Sequence, residues 1–258
     1  MAYKKLKDWF DKALAILLSE KIQPVFQGFD SQRFIREIDT GIHGLELKAR
    51  VELIADILRE HLPQDYPQSI SILTAVLGPE NEKETGMFTE GYWIMPIAKY
   101  VEKYGVEHYS ESIAAIREIT TRHTGEYCIR PFLERYPDKT LAVMGMWSRD
   151  ENVHVRRLAS EGLRPRLPWA RKLDQFIANP EPILQILENL KDDDSKFVQK
   201  SVANNIHDIL KDNYQIGLQT LERWSQDPTR ARQWIIKHAL RNHIKQGNPE
   251  AIRLVERC

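Results

Sequence analysis

Cysteine is nearly missing from this chain: Cys128 and the terminal Cys258 are the only two in 258 residues. Two cysteines build no disulfide framework and have no metal-ligand spacing, which fits a reducing cytosol and sets aside small secreted scaffolds. Long apolar runs are also missing. The run Ala13–Leu18 spans six residues between charged flanks and lacks a small-residue cleavage site, so it reads as part of an amphipathic helix rather than a signal peptide. Nothing approaches the roughly 18 apolar residues of a membrane span, and a cytoplasmic protein without a membrane partner is expected. Strand signals and Gly/Ser linkers are scarce, so one domain over 1–258 is expected. The chain has no GxGxxG, no GxxxxGK[ST], no HExxH and no nucleophile elbow, and its eight histidines show no ligand clustering. Neither a metal nor an organic cofactor is expected. Net charge is absent too, with 37 basic residues against 37 acidic, which taken alone argues against a nucleic-acid partner.

What the chain does have is helical periodicity. Leu45–Leu62, with Leu47, Val51, Ile54 and Leu58 on one face, predicts a helix stopped by Pro63. Further helices are predicted over Ser69–Leu77, Tyr92–Tyr104 and Ser110–Thr121, with a polar loop over Pro79–Gly91. The second half repeats. Segments starting at Thr140, Ile183 and Gly217 align Leu141 with Leu184 and Leu218, Trp147 with Leu190 and Trp224, Asp150 with Asp193 and Asp227, and Leu163 with Ile206 and Leu240. Each unit reads as an apolar helix, a turn at the aligned Asp, and a second helix. Such pairs cannot bury their faces alone and must stack. The fold class expected is all-α, a right-handed solenoid of HEAT-like helical repeats whose concave surface is lined by the second helices.

The charge is unevenly spread. Residues 1–110 carry 13 Lys and Arg against 17 Asp and Glu; residues 111–258 carry 24 against 20, and 16 of those 24 cations are Arg, whose planar fork suits phosphate. The stretch His154–Trp169 concentrates Arg156, Arg157, Arg164 and Arg166 and ends on Trp169 after Pro168. On the second helices, His154, Arg157, Glu161 and Arg164 are expected to face outward, opposite Val155, Leu158 and Gly162. Ser201, Asn204, Asp208 and Lys211 would share the face opposite Val198, Val202, Ile206 and Ile209, and Trp234, Lys237, His238, Arg241 and Lys245 would form a basic stripe. Charged helical faces are usually just solvated, but three neighbouring stripes that agree in sign around one carboxylate point to a phosphodiester backbone. A second carboxylate, Glu126, lies between Gly125 and Pro131 with Arg130 one turn on. From the residues alone it reads first as a helix-start acid favoured by the macrodipole, and second as a functional carboxylate. Trp147 and Trp224 sit at aligned repeat positions and read as core; Trp169 breaks the pattern.

The motifs HTGEYCIRPF (123–132), ENVHVRRLASEGLRPRLPWA (151–170), KFVQKSVANNIHDILKD (196–212) and WIIKHALRNHIKQG (234–247) resemble the bacterial HEAT-like-repeat alkylpurine DNA glycosylases of DNA alkylation repair, and among them the AlkC subfamily. The resemblance covers most of residues 90–247. It implies hydrolysis of the N-glycosidic bond of cationic N3-methylated bases, chiefly 3-methyladenine, in double-stranded DNA, without flipping the base. It puts catalytic carboxylates at Glu126 and Asp208 and an aromatic against the lesion deoxyribose at Trp169. Backbone-contacting positions fall at Arg157 and Arg164, beside the wider set Arg130, His154, Arg156, Arg166, Ser201, Asn204, Lys211, Arg241 and Lys245. Two departures stand out: Gln199-Lys200 where the family has Arg-Arg, and His207 where it has Asn. Some members carry a C-terminal immunoglobulin-like domain, which this sequence is expected to lack.

The chemistry suits these residues. An N3-alkylated purine is already cationic and leaves without a general acid, so the site must stabilise an oxocarbenium-like sugar and place a water, as in glycoside hydrolysis. A monomeric, monofunctional glycosylase without an obligate protein partner is expected. The rivals are a non-catalytic module binding bent or branched DNA, for which two carboxylates facing phosphates have no use, and a protein-binding scaffold, whose affinity would be indifferent to salt.

Overall fold

A computed structural model describes residues 4–258. It forms two compact units, one running to Phe132 and the other from Leu133 to Cys258. Among the described residues there is no strand, and no helix is long and apolar enough to cross a membrane.

The first unit contains α1 (Lys12–Ile22), α2 (Ser31–Gly41), α3 (Leu47–His61), α4 (Tyr66–Ala75), α5 (Met95–Tyr104) and α6 (Tyr109–Thr120). Three of these helices start on an aspartate. The carboxylates of Asp11, Asp30 and Asp65 accept from first-turn backbone N–H groups that have no partner within the helix. α3 stops where Leu62 turns extended ahead of Pro63. α1 packs on α2, α3 on α5 and α4 on α6, burying Leu14, Leu18, Phe34, Ile38, Ile54, Leu58, Leu73, Ile97, Val101, Ile116 and Ile119. The predicted helices are present, each within a few residues of its expected ends, and the polar stretch 79–91 is non-helical as expected.

The chain passes through the short α7 (Arg130–Arg135) into the second unit, which holds the repeats. These are α8 (Pro137–Trp147) with α9 (Val153–Glu161), α11 (Glu181–Leu187) with α12 (Lys196–Asp212), and α13 (Tyr214–Trp224) with α14 (Arg230–Ala239). The short α10 (Asp174–Ala178) precedes α11, and α15 (Arg241–Lys245) and α16 (Pro249–Glu256) follow α14. The second helices start alike, with Asn152, Ser195 and Thr229 as side-chain caps. In the first two repeats the aligned Asp shapes the turn. Asp150 Oδ1 accepts from the Asn152 N–H at 2.9 Å, and Asp193 Oδ1 from the Ser195 N–H at 2.9 Å. Asp227 sits instead at φ 49°, so the third turn is built differently.

α12 is the centre of this unit, packed between α9 and α14 and against α13. Its stripe of Val198, Val202, Ile206 and Ile209 is buried as predicted, and so are Trp147 and Trp224. Truncating any one of the four would cost about 2–5 kcal/mol through lost burial and the cavity left behind, Val at the low end. α13 approaches α12 closely at Gly217, where an added Cβ would come within 2.8 Å of a Leu210 methyl.

Candidate active site

The side-by-side packing of α9, α12 and α14 decides where the polar stripes go. They do not all face outward. His154, Glu161, Arg164, Ser201 and Asp208 are buried, because each lies where one second helix meets the next. The outward orientation expected of His154, Glu161 and Arg164 is therefore corrected. Asn205, also buried, donates to the Ser160 carbonyl at 2.8 Å and fastens the end of α9 to the middle of α12.

Asp208 is 1% exposed. Its Oδ2 accepts from Arg164 Nε at 2.8 Å and its Oδ1 from Lys211 Nζ, one turn further along α12, at 2.9 Å. Arg164 is shared: its Nη1 donates to Glu161 Oε1 at 2.8 Å, while Ser201 Oγ donates to Glu161 Oε2 at 2.7 Å. Arg157 completes the cluster, its Nη2 3.6 Å from Glu161 Oε1. Burial works against the charge on Glu161, but Arg157, Arg164 and the Ser201 hydroxyl outweigh it and hold this carboxyl below its usual range. Arg164 likewise resists its own burial because Glu161 and Asp208 flank it, and its pKa is raised. The result is a hydrogen-bonded chain of side chains, Ser201–Glu161–Arg164–Asp208–Lys211, across the seam between two helices.

The segment after α9 forms a pinned loop. Leu163, Leu167 and Leu173 are buried anchors, and the Leu173 N–H returns to the Pro165 carbonyl at 3.1 Å. Arg166 reaches α12 with both Nε and Nη2 on the Asp212 carboxylate, at 2.6 and 2.5 Å. Asp212 lies one turn beyond Asp208, so the loop is fastened beside that carboxylate. At the tip Trp169 is 67% exposed and adopts φ 66°, a conformation a bulky residue rarely takes. Backbone strain combined with an exposed indole marks a position shaped for something other than packing. The segment between the first two repeats runs from the end of α9 through α10 to the start of α11.

The other expected cations divide into two groups. Arg156 is committed to the repeat turns: Nε and Nη2 meet the Asp193 carboxylate at 2.6 and 3.3 Å, and Nη1 meets the Asp150 and Glu151 carbonyls at 3.0 and 2.9 Å. It ties one repeat to the next. Arg157 lies over the Phe197 ring at 4.9 Å, and Lys196 over Trp234 at 4.9 Å. Gln199 is buried and donates to the Asp193 carbonyl at 2.7 Å while accepting from Lys196 at 2.8 Å. This departure from the family's Arg-Arg pair therefore braces the turn and steadies a neighbouring lysine, while Lys200 is exposed. Arg241 donates to Asn204 Oδ1 at 3.1 Å and to the His238 carbonyl at 2.6 Å. Burial and the neighbouring Arg164 lower its pKa. Lys245 is exposed. His207 sits on the far side of α12 from this cluster in its contacts, with Nδ1 against the Ala239 carbonyl at 2.8 Å and Nε2 against Asn242 at 3.2 Å.

In the first unit Glu126 is buried in the turn before α7, not in a helix. Thr124 Oγ1 donates to Glu126 Oε2 at 2.9 Å, and the Glu126 N–H returns to that hydroxyl at 3.3 Å. Arg130 at the start of α7 is buried as well. Sequence reasoning missed Glu161 and Thr124. The signals were present as the i,i+4 and i,i+3 spacing of Arg157, Glu161 and Arg164, and as a Thr two residues before Glu126. Among the described residues no group of three or more His, Cys, Asp or Glu could hold a metal ion.

A family model described as DNA alkylation repair enzyme matches residues 30–243. The chain belongs to that family. A relative in Bacillus subtilis (strain 168), the uncharacterized protein YhaZ, is 35% identical over 250 residues, spanning 96% of this chain and 67% of the relative. Among solved structures, the Pseudomonas fluorescens alkylpurine DNA glycosylase AlkC, bound to DNA containing an abasic site analog, is 37% identical. It superposes with a TM-score of 0.88 over 98% of this chain and 68% of its own. The all-helical repeat fold expected from the sequence is thus the fold of this DNA alkylation repair enzyme and its relative.

Proposed function

We propose that this DNA alkylation repair enzyme is an alkylpurine DNA glycosylase. It hydrolyses the N-glycosidic bond of cationic alkylated bases, with 3-methyladenine and other N3-methylated bases as substrates, in duplex DNA. The observation that carries the reading is the pairing of a cation-held carboxylate, Asp208, with the exposed indole of Trp169 on a loop that Arg166 fastens to the same helix one turn away. The name of the Pseudomonas relative supports it.

In this mechanism the base departs as a neutral purine, taking the electron pair of the C1′–N bond, and leaves positive charge on the sugar. Asp208 stabilises that charge and orients a water, whose oxygen bonds to C1′ while its proton passes to the carboxylate. Glu126 serves as a second carboxylate in the reaction, and the Trp169 ring lies against the deoxyribose. Arg157, Arg164, Arg241, Lys211 and Lys245 favour the phosphates. The enzyme acts on the sugar from the backbone side instead of extruding the base, and it is monofunctional, cleaving no phosphodiester. Residues 1–258 act as one glycosylase domain, as a monomer without metal or cofactor, in the cytoplasm. The test is release of free 3-methyladenine from methylated duplex DNA by the wild type and by Asp208→Ala. Far less release by the variant is expected, and equal release would discard the assignment.

A further inference from the structure

Glu161 is an anion in an unfavourable place. It is buried, and it is the last residue of α9, where the helix macrodipole opposes negative charge. It accepts one hydrogen bond from Ser201 on α12 and one from Arg164. A buried ion pair is a poor way to gain stability, since apolar residues of similar volume do as well or better. What distinguishes this one is that Arg164 is shared, with adjacent nitrogens on Glu161 and Asp208. Three cations, Arg157, Arg164 and Lys211, meet two anions here. Without Glu161 all three would bear on Asp208 alone.

We propose that Glu161 is a positioning residue: by engaging Arg164 and Arg157 it keeps their charge from cancelling Asp208, so that Asp208 retains negative potential for the developing sugar cation. The inference rests on the reading of Asp208 as the acting carboxylate. Ser201 fixes Glu161 in the orientation that divides Arg164 between the two acids. The cluster then favours a cation at the reacting sugar while keeping net positive charge toward phosphates.

The experiment compares Glu161→Gln, Ser201→Ala and Asp208→Asn in single-turnover release of 3-methyladenine and in binding to unmodified duplex at several salt concentrations. Glu161→Gln is expected to release base about tenfold more slowly or worse. It should bind duplex as tightly as the wild type or about two- to fivefold more tightly, because one anion fewer opposes the phosphates. A purely structural role would weaken both together. Ser201→Ala keeps every charge and is expected to slow release about threefold, as the Glu161 carboxylate loses its fixed orientation. A wild-type rate for Glu161→Gln, or rate and affinity falling together with the melting temperature, overturns the proposal. If Glu161→Gln does not fold, a wild-type rate for Ser201→Ala overturns it. A wild-type rate for Asp208→Asn instead overturns the underlying assignment of Asp208, so the two failures are told apart.

Discussion

Arg164 reaches from the end of α9 to Asp208 on α12 with Nε 2.8 Å from Oδ2, while both partners are buried. The contact joins two repeats and sets the charge of the candidate site at once. Arg164→Ala would leave Asp208 and Glu161 as buried carboxylates without the guanidinium they share. Removing one member of such a network costs about 3–5 kcal/mol. Urea denaturation at pH 7.5 should show that loss, and a loss below about 1 kcal/mol would mean the two acids are far more hydrated than their burial indicates.

Trp169 separates function from stability. Its indole is 67% exposed, so Trp169→Ala should change stability by less than about 1 kcal/mol. Trp169→Gly should be neutral or stabilising, since glycine adopts φ 66° without the strain of a side chain, worth roughly 1 kcal/mol. Both variants should release base about 10- to 100-fold more slowly if the ring orients the deoxyribose. Wild-type turnover by either variant would remove Trp169 from the site.

Much of this was legible in the sequence because the signals were local or periodic. The helices of the first unit follow from apolar spacing with Asp and Pro at the ends, and the repeats follow from the aligned Leu, Trp and Asp. α2 gave a weak signal: only Phe34 and Ile38 of its eleven residues are buried. The direction of the charged stripes was not legible. A helix has two flanks as well as an inner and an outer face, and residues at 154, 161 and 208 occupy flanks that become buried only when the next repeat packs beside them, while Arg164 lies in the loop just past α9. Nor could sequence spacing show that Arg156 would be consumed by the Asp193 turn 37 residues away, or that Arg166 would pin its loop to Asp212.

That difference among arginines and lysines can be measured through salt. Lys245 is exposed at the end of α15, and Lys245→Ala should reduce the slope of log affinity against log salt by about 0.9 while leaving stability unchanged. Arg156→Ala should leave that slope as it is and lower stability by about 1.5–3 kcal/mol, because its charge-assisted bonds to Asp193 and to two carbonyls hold the repeat turn. A reduced slope for Arg156→Ala would place that guanidinium on DNA after all.

His207 gives the chain a pH dependence that its family's asparagine would not. Burial pushes its pKa below the ordinary 6.5; the Ala239 carbonyl and Asp208 pull it upward, and Arg241 and Lys211 add to the lowering. In the interval between the lowered folded value and 6.5, the unfolded chain holds a proton that the folded chain does not, so stability rises with pH there. Acidification from pH 7.5 to 5.5 should therefore lower the urea midpoint. Glu161 contributes nothing in that window, since its folded and unfolded values both lie at or below 4.5. His238, lowered by its own burial and then by Arg241, acts in the same direction and survives in a His207 variant. His207→Asn should consequently show a shallower fall between pH 7.5 and 5.5 without abolishing it. An amide at this position can still donate toward the Ala239 carbonyl, which keeps α12 and α14 joined. Identical slopes for the two proteins, or a wild type that grows more stable on acidification, would show that His207 enters the folded state charged.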